Sequence, residues 1–480
     1  MIALPFIFNT LINFVISLIV AKFLGPAEYG RYAIAMSIAI VLQTIGFDWL
    51  RLAATRFTSD EDRVERPEIA ATLTLSFVAL TALAGAAALI VWAADFDLPP
   101  SRGLIALAVL VAVANGLFDL GAALLRARFL NRAYRRFVAA KTLFSALFVV
   151  GGAYWFRSAP VALLGLIVSV LGSAIVTLRD LIDPRLKVAK AEPALIGRFG
   201  AYALPIVLAN VLFQGAPLMN RSLASNWHGF AEAGELALAY DLGVRIIAAI
   251  GSTVDVLLFQ LAVRAEKTEG GEAGRGQVAR NVGLVVAVVL PSVAGCWLIL
   301  PSFEHLFIPE AFRGAFGRYF TLMLPAFLSF ALTMYCVGPI FQIAHKTLPL
   351  VFGGAAALAS NAIAVAALPQ AGDASMLALA QSASSLVGFA ACVGFAVALA
   401  PTRPDWRDVL HAILATVAMA AAVLPLRALA PGAPTLILQC LAGALVYGGA
   451  LFLLDVGGAR AAVAAGLSRR APAASPRSAS

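Results

Sequence analysis

Charge is scarce in this sequence. Only 13% of its 480 residues are Asp, Glu, Lys or Arg, against about 25% in an ordinary soluble domain. Hydrophobic residues reach 61% and the mean hydropathy is +0.90. A soluble chain of this size could not hide that much apolar surface, so a soluble enzyme is excluded and a polytopic membrane protein remains. Cysteine is scarce too. Cys296, Cys336, Cys392 and Cys440 each sit in an apolar run with no C-x-x-C spacing, which argues against disulfides and thiolate metal sites and for core packing. His228, His305, His345 and His411 are scattered without ligand spacing. There is no H-E-x-x-H, no G-x-S-x-G and no G-x-x-x-x-G-K-S/T, so neither a zinc hydrolase, a serine hydrolase nor a P-loop ATPase is written here. Long outer loops are missing as well; the longest expected one is roughly 300–317. A membrane glycosyltransferase, polymerase or ligase would need such a loop for its catalytic groups. The net charge of +9 would suggest nucleic acid in a soluble protein; in this class it reflects basic cytoplasmic loops, and no nucleic-acid partner is expected.

What is present is a series of apolar runs. They predict 14 transmembrane helices, near 2–22, 33–50, 69–93, 103–125, 138–156, 160–178, 201–222, 236–262, 281–300, 318–343, 350–368, 375–400, 409–429 and 435–455. The divisions near Arg157 and Pro369 are the weakest. The first 20 residues lack a basic leader and a small-residue cleavage site, and read as a retained first span rather than a signal peptide. With the N-terminus placed in the cytoplasm, 26 of the 35 Lys and Arg fall inside and 8 outside. That bias predicts both termini cytoplasmic. A cysteine placed at Ser478 should therefore resist a membrane-impermeant thiol reagent in intact cells, and ready labelling would reverse the orientation. The tail at 457–480 is expected to be cytoplasmic and partly disordered.

One segment recurs. Gly25-Pro26-Ala27-Glu28-Tyr29-Gly30-Arg31-Tyr32-Ala33-Ile34-Ala35 returns as Gly229-Phe230-Ala231-Glu232-Ala233-Gly234-Glu235-Leu236-Ala237-Leu238-Ala239, an ungapped G-x-A-E-x-G-x-x-A-x-A. Each copy lies between two spans, so it reads as a tight corner whose glycines allow positive φ and whose glutamate meets the positive end of the next helix. The repeat predicts a six-helix lobe at 1–200, a second at 201–400 and two extra helices at 401–456. Parallel halves of this kind commonly flank a transport pathway.

The run from Leu24 to Ala33, with Gly46-Phe47-Asp48 through Arg56, resembles the first outer loop and second helix of bacterial polysaccharide flippases. These are the lipid-linked oligosaccharide translocases of the multidrug/oligosaccharidyl-lipid/polysaccharide exporter superfamily. The specific motifs cover about 35 residues, while the architecture covers the chain. The chain departs where it carries Asn220-Arg221 in place of a frequent Asp-Arg pair. The resemblance implies 12 to 14 helices in two lobes, a lipid-linked oligosaccharide as substrate, and contact with membrane lipid and polysaccharide assembly proteins.

Polar residues inside spans are costly and tend to face a wet interior. At about 100° per residue, Asp241, Arg245, Ser252 and Asp255 fall in one arc of roughly 80°. Asn210, Gln214, Pro217 and Arg221 share a face, as do Asn115, Asp119 and Arg126. So do Thr44, Asp48, Arg51 and Thr55, and Asn9 with Asn13. These stripes are candidates for lining one cavity. Asn and Gln suit sugar hydroxyls, and Arg suits pyrophosphate. Asp241 with Arg245, and Asp48 with Arg51, could also simply neutralise one another. Arg221, with no acid within one helical turn, stands out as the cation free to meet substrate. The reading is a flippase for O-antigen, capsule or exopolysaccharide assembly working by alternating access, with no enzymatic activity and no cofactor. Proton or sodium coupling through Asp48, Asp119, Asp241 or Asp255 is one drive, and consumption of substrate outside is the other. The runner-up is a cation-coupled drug antiporter of the same superfamily, and a polymerase or ligase comes last.

Overall fold

The computed structural model describes residues 3–58, 67–93, 101–182, 190–344, 346–367, 372–399, 404–458 and 460, with side chains described for all but 3–11, 252–257 and 259 of these. Every regular element among them is helical. The principal helices are α1 (Ala3–Gly46), α2 (Asp48–Phe57), α3 (Pro67–Ala93), α4 (Arg102–Ala127), α5 (Asn131–Phe144) and α6 (Ala159–Val176). They continue as α7 (Ala194–His228), α8 (Phe230–Glu269), α9 (Gly271–Phe307), α10 (Ala315–Leu322), α11 (Leu324–Leu332), α12 (Leu348–Ala367), α13 (Ser375–Leu399), α14 (Trp406–Val423) and α15 (Ala433–Leu454). Twelve stretches among the described residues are long and apolar enough to cross a membrane. One of them, Ile12–Gly46, bends at Gly25 and overlaps two of the expected spans, 2–22 and 33–50. A further expected span, 236–262, lies within α8. The described parts of the predicted spans are therefore largely helical, and the chain is a multi-pass membrane protein. The division near Arg157 is real: that residue turns the chain with φ 47° between the helical run ending at Phe156 and α6. Pro369 and the tail from 461 onward lie outside the described residues.

Leu445, Trp155, Ile175 and Leu453 are each at least 70% exposed. Such large apolar surface is what lipid, not water, covers. It also accounts for Cys440, expected in the core but exposed on α15: a thiol on a lipid-facing apolar helix needs no burial. Cys336 and Cys392 are buried as expected.

The chain forms two compact units. The first comprises Met1–Ala249, Phe307–Phe330 and His345–Phe395, and the second comprises Ile250–Leu306, Ala331–Ala344 and Ala396–Ser480. In the first, Phe47, Leu50, Ile69, Leu73, Leu120, Leu195 and Phe199 join α2, α3, α4 and α7 in one apolar cluster. Small residues let α7, α12 and α13 approach closely. A Cβ on Gly354 would meet that of Leu212 at 2.9 Å, and one on Gly388 would meet Ala357 at 2.8 Å. This is how membrane helices gain packing without a hydrophobic drive between them. In the second unit, Leu298, Met419 and Val423 cluster between α9 and α14, and the Tyr447 hydroxyl of α15 donates to the Ala287 carbonyl of α9.

The repeated corners have a more specific role than turning the chain. Gly25 and Gly229 take φ of 70° and 92°, the left-handed backbone expected of them. Gly30 and Gly234 instead meet each other's copy. A Cβ on Gly30 would lie 1.9 Å from the Phe230 carbonyl oxygen, and one on Gly234 would lie 2.1 Å from the Pro26 carbonyl oxygen. Pro26 and Phe230 are themselves equivalent positions of the repeat, so the contact is reciprocal, as in a two-fold interface. The glutamates match as well. Glu28 accepts from the Ala159 amide at the start of α6 (2.8 Å), and Glu232 accepts from the Ala374 amide just before α13 (3.1 Å). Each copy thus caps a further helix, satisfying an otherwise orphan donor where the helix dipole favours negative charge.

Candidate polar site in the first unit

Helices α1, α4, α7 and α8 carry a seam of polar side chains through the apolar interior of the first unit. At one end Arg221 is buried, although its helix supplies no acid. Its Nη2 donates to Asp241 of α8, its Nη1 donates to Ser37 Oγ of α1 at 2.6 Å, and its guanidinium lies 5.4 Å from the Tyr240 ring centroid. The expectation that Arg221 is uncancelled is therefore corrected. The acid comes from the neighbouring helix, and in a medium of low dielectric the attraction between the two charges is strengthened, which offsets the cost of taking both out of water.

That pairing releases Arg245. Expected as the natural partner of Asp241 one turn away, it instead turns to α1, donating to Ser17 Oγ at 2.7 Å and to the Asn13 carbonyl at 3.4 Å. It is exposed and has no carboxylate partner among the described residues. Tyr29 and Tyr32 lie within electrostatic reach of both Asp241 and Arg245, and Lys141 of α5 lies within reach of Asp119 and Arg245.

Further along, Gln43 donates to Asp119 of α4 at 2.6 Å, and Gln214 of α7 donates to Thr44 Oγ1 at 3.3 Å while its own carbonyl oxygen stays buried and unpartnered. Asp48 and Arg51 form the expected local pair at 3.3 Å. Asn115 and Asn210 are half-buried, with no side-chain hydrogen bond among the described residues. Asn9 and Asp255 lie outside the residues whose side chains are described. So residues from the stripes on α1, α7 and α8 do meet, through Thr44 with Gln214, the Asn13 carbonyl with Arg245, and Arg221 with Asp241, and the α4 stripe is reached through Gln43 and Asp119.

Sequence reasoning missed Ser17, Ser37 and Gln43. Ser37 lies seven residues before Thr44, two helical turns on the same face, and could have been added to that stripe. It also missed the partners of Asn220. This residue, one position and about 100° from Arg221, donates to Asn361 (3.0 Å) and Gln381 (2.9 Å) and accepts from Asn361 (2.9 Å). All three are buried. Isolated amides in the middle of apolar spans were the available signal.

Over residues 19–303 the chain matches the family described as polysaccharide biosynthesis protein. It belongs to that family. No curated protein matches the chain in sequence. Among solved structures, its fold is similar to that of the lipid II flippase MurJ in an inward closed conformation. The TM-score is 0.68 at 13% identity, covering 96% of this chain and 99% of that one. An inward-facing multidrug resistance MATE family transporter of the MOP superfamily gives a TM-score of 0.58 at 14% identity, covering 82% and 95%. A MOP superfamily transporter from Pyrococcus furiosus, titled for the reverse polarity of its binding pocket, gives 0.52 at 13% identity, covering 87% and 94%. This polysaccharide biosynthesis protein therefore has the fold of the superfamily's flippases and transporters.

Proposed function

We propose that the protein is a flippase that carries a polyprenyl-pyrophosphate-linked oligosaccharide across the inner membrane by alternating access, for O-antigen, capsule or exopolysaccharide assembly. The observation that carries this reading is Arg245, an exposed guanidinium on the polar seam with hydroxyl and carbonyl partners but no acid among the described residues. A guanidinium in that state has donors left for a pyrophosphate, which it can grip in bidentate fashion. Lys141 adds positive charge nearby. Asn115, Asn210 and the open carbonyl of Gln214 supply hydrogen-bonding capacity suited to sugar hydroxyls. The lipid tail would stay in the bilayer while the head group moves along the seam.

A drug antiporter calls for an acid free to trade a proton or sodium ion for a cationic drug. Of the acids whose side chains are described, Asp48 and Asp241 are each paired with an arginine, Arg51 and Arg221, and Asp119 accepts a hydrogen bond from Gln43. This favours the flippase. Membrane-embedded partners of polysaccharide assembly would supply and consume the substrate on the two sides. Deleting the gene and analysing lipids tests the reading. Completed lipid-linked repeat units should accumulate facing the cytoplasm, with surface polysaccharide lost and both restored by the wild-type gene. Normal surface polysaccharide with no accumulated intermediate would refute it.

A further inference from the structure

The two copies of the repeat are alike in their glycines and glutamates but not at the residue after the second glycine. The first copy has Arg31 there, the second Glu235. Arg31 pairs with Glu28 and lies over the Phe230 ring at 5.0 Å from its centroid, so the first corner is neutralised and tied to the second. Glu235 has no such arrangement. Glu232, one turn before it, is occupied by the Ala374 amide, and Arg318 is committed to Asp373 at 2.7 Å. Glu235 itself is half-buried and makes no hydrogen bond or ion pair among the described residues. It adjoins Gly234, whose backbone packs against the Pro26 carbonyl.

Resting on the flippase reading and on the orientation that puts these corners outside, we propose that the Gly30–Gly234 contact is the outer gate of the pathway, and that Glu235 ties its closure to the pH outside. With no room for a single Cβ, the two backbones meet only when the corner is shut. Any route that opens outward between α1 and α8 must part them. The charged groups that act on Glu235 are Glu232 on its own helix and Arg318 on α10; Tyr319, Asp373 and His228 lie beyond Arg318, and the Glu28–Arg31 pair flanks Gly30 on α1. Asp373 is not the switch. Against the raising effect of burial, hydrogen bonds from Ser375 and the charges of Arg318 and His228 hold its carboxyl below the usual range. For Glu235, burial and then the Glu232 charge push the carboxyl up to about 7, against the pull of Arg318. Parting the corner would hydrate Glu235 and return it toward an ordinary value of about 4.3. The shut state thus binds the proton more tightly. Protonation favours closure, and that preference is lost as pH rises through about 7.

The test reads the gate without any substrate. In protein with its four cysteines removed, Ala33→Cys places a thiol on a buried position three residues after Gly30, on the same helical face. Intact cells are treated with a membrane-impermeant maleimide at external pH 5.5 and 8. Each rate is divided by that of the same protein unfolded at the same pH, which removes the thiol's own titration. The corrected rate should rise on the order of tenfold from pH 5.5 to 8. Glu235→Gln, which keeps the shape and removes the charge, should hold it low at both. Gly234→Ala should raise it at both. Equal corrected rates in the parent protein, retained pH dependence in Glu235→Gln, or no labelling of any variant would each overturn the proposal. Because no substrate enters the assay, a failed flippase reading would show in the lipid analysis and leave these rates unaffected.

Discussion

Replacing Arg245 with alanine should reduce export of the lipid-linked oligosaccharide to near background, at a membrane level close to that of the wild type. Charge-assisted hydrogen bonds to an ionised group are worth about 1.5–3 kcal/mol each, so losing a bidentate grip costs at least tenfold in binding and readily a hundredfold. Stability should be spared because Arg245 is exposed and balances no buried acid. Arg245→Lys should keep part of the export, since the charge survives and the planar fork does not. The competing account is that Arg245 only ties α8 to α1 through Ser17. Ser17→Ala cuts that tie and leaves the guanidinium in place. If Ser17→Ala abolished export as fully as Arg245→Ala did, the tether would be the whole role. Full export by the alanine variant, measured as surface polysaccharide beside membrane abundance, would remove Arg245 from the pathway.

That this experiment concerns Arg245 and not Arg221 shows where the sequence ceased to be a sufficient guide. The spans were legible because membrane thickness demands long apolar runs, and the corners because Gly25 and Gly229 had to accept positive φ. The polar stripes were legible because helical periodicity orders residues on one helix. Pairing across helices was not. Counting along α8 made Asp241 and Arg245 partners, while counting along α7 left Arg221 alone. Only the packing of α7 against α8 brings Arg221 to Asp241 and sends Arg245 to Ser17. Gly30 and Gly234 illustrate the same limit. The sequence marks them as corner glycines, yet their backbone is not in the left-handed region. What requires glycine there is the other copy of the repeat 204 positions away. The Asn220–Asn361–Gln381 cluster likewise draws on three separate spans.

Because Arg221 and Asp241 form a pair, their variants should act on stability and not directly on substrate. The two side chains are unequally shielded, at 7% exposure for Arg221 and 27% for Asp241. Breaking a buried ion pair costs about 3–5 kcal/mol, because the partner left behind carries an uncompensated charge. Asp241→Ala strands the guanidinium, the more deeply buried of the two, with only Ser37 and the Tyr240 ring as company. Arg221→Ala strands a carboxylate that water can still partly reach. Asp241→Ala should therefore lower membrane abundance and detergent-solubilised thermal stability more than Arg221→Ala does. The double variant, which removes both charges at once, should recover much of the loss of Asp241→Ala, and the interaction term of the cycle should exceed about 1 kcal/mol. Export measured per folded molecule should stay within a fewfold of the wild type in the double variant. The opposite pattern, normal abundance and stability in both single variants with export abolished, would mean that Arg221 and Asp241 meet the substrate themselves. In that case the closed pair seen here would be an arrangement that substrate has to open.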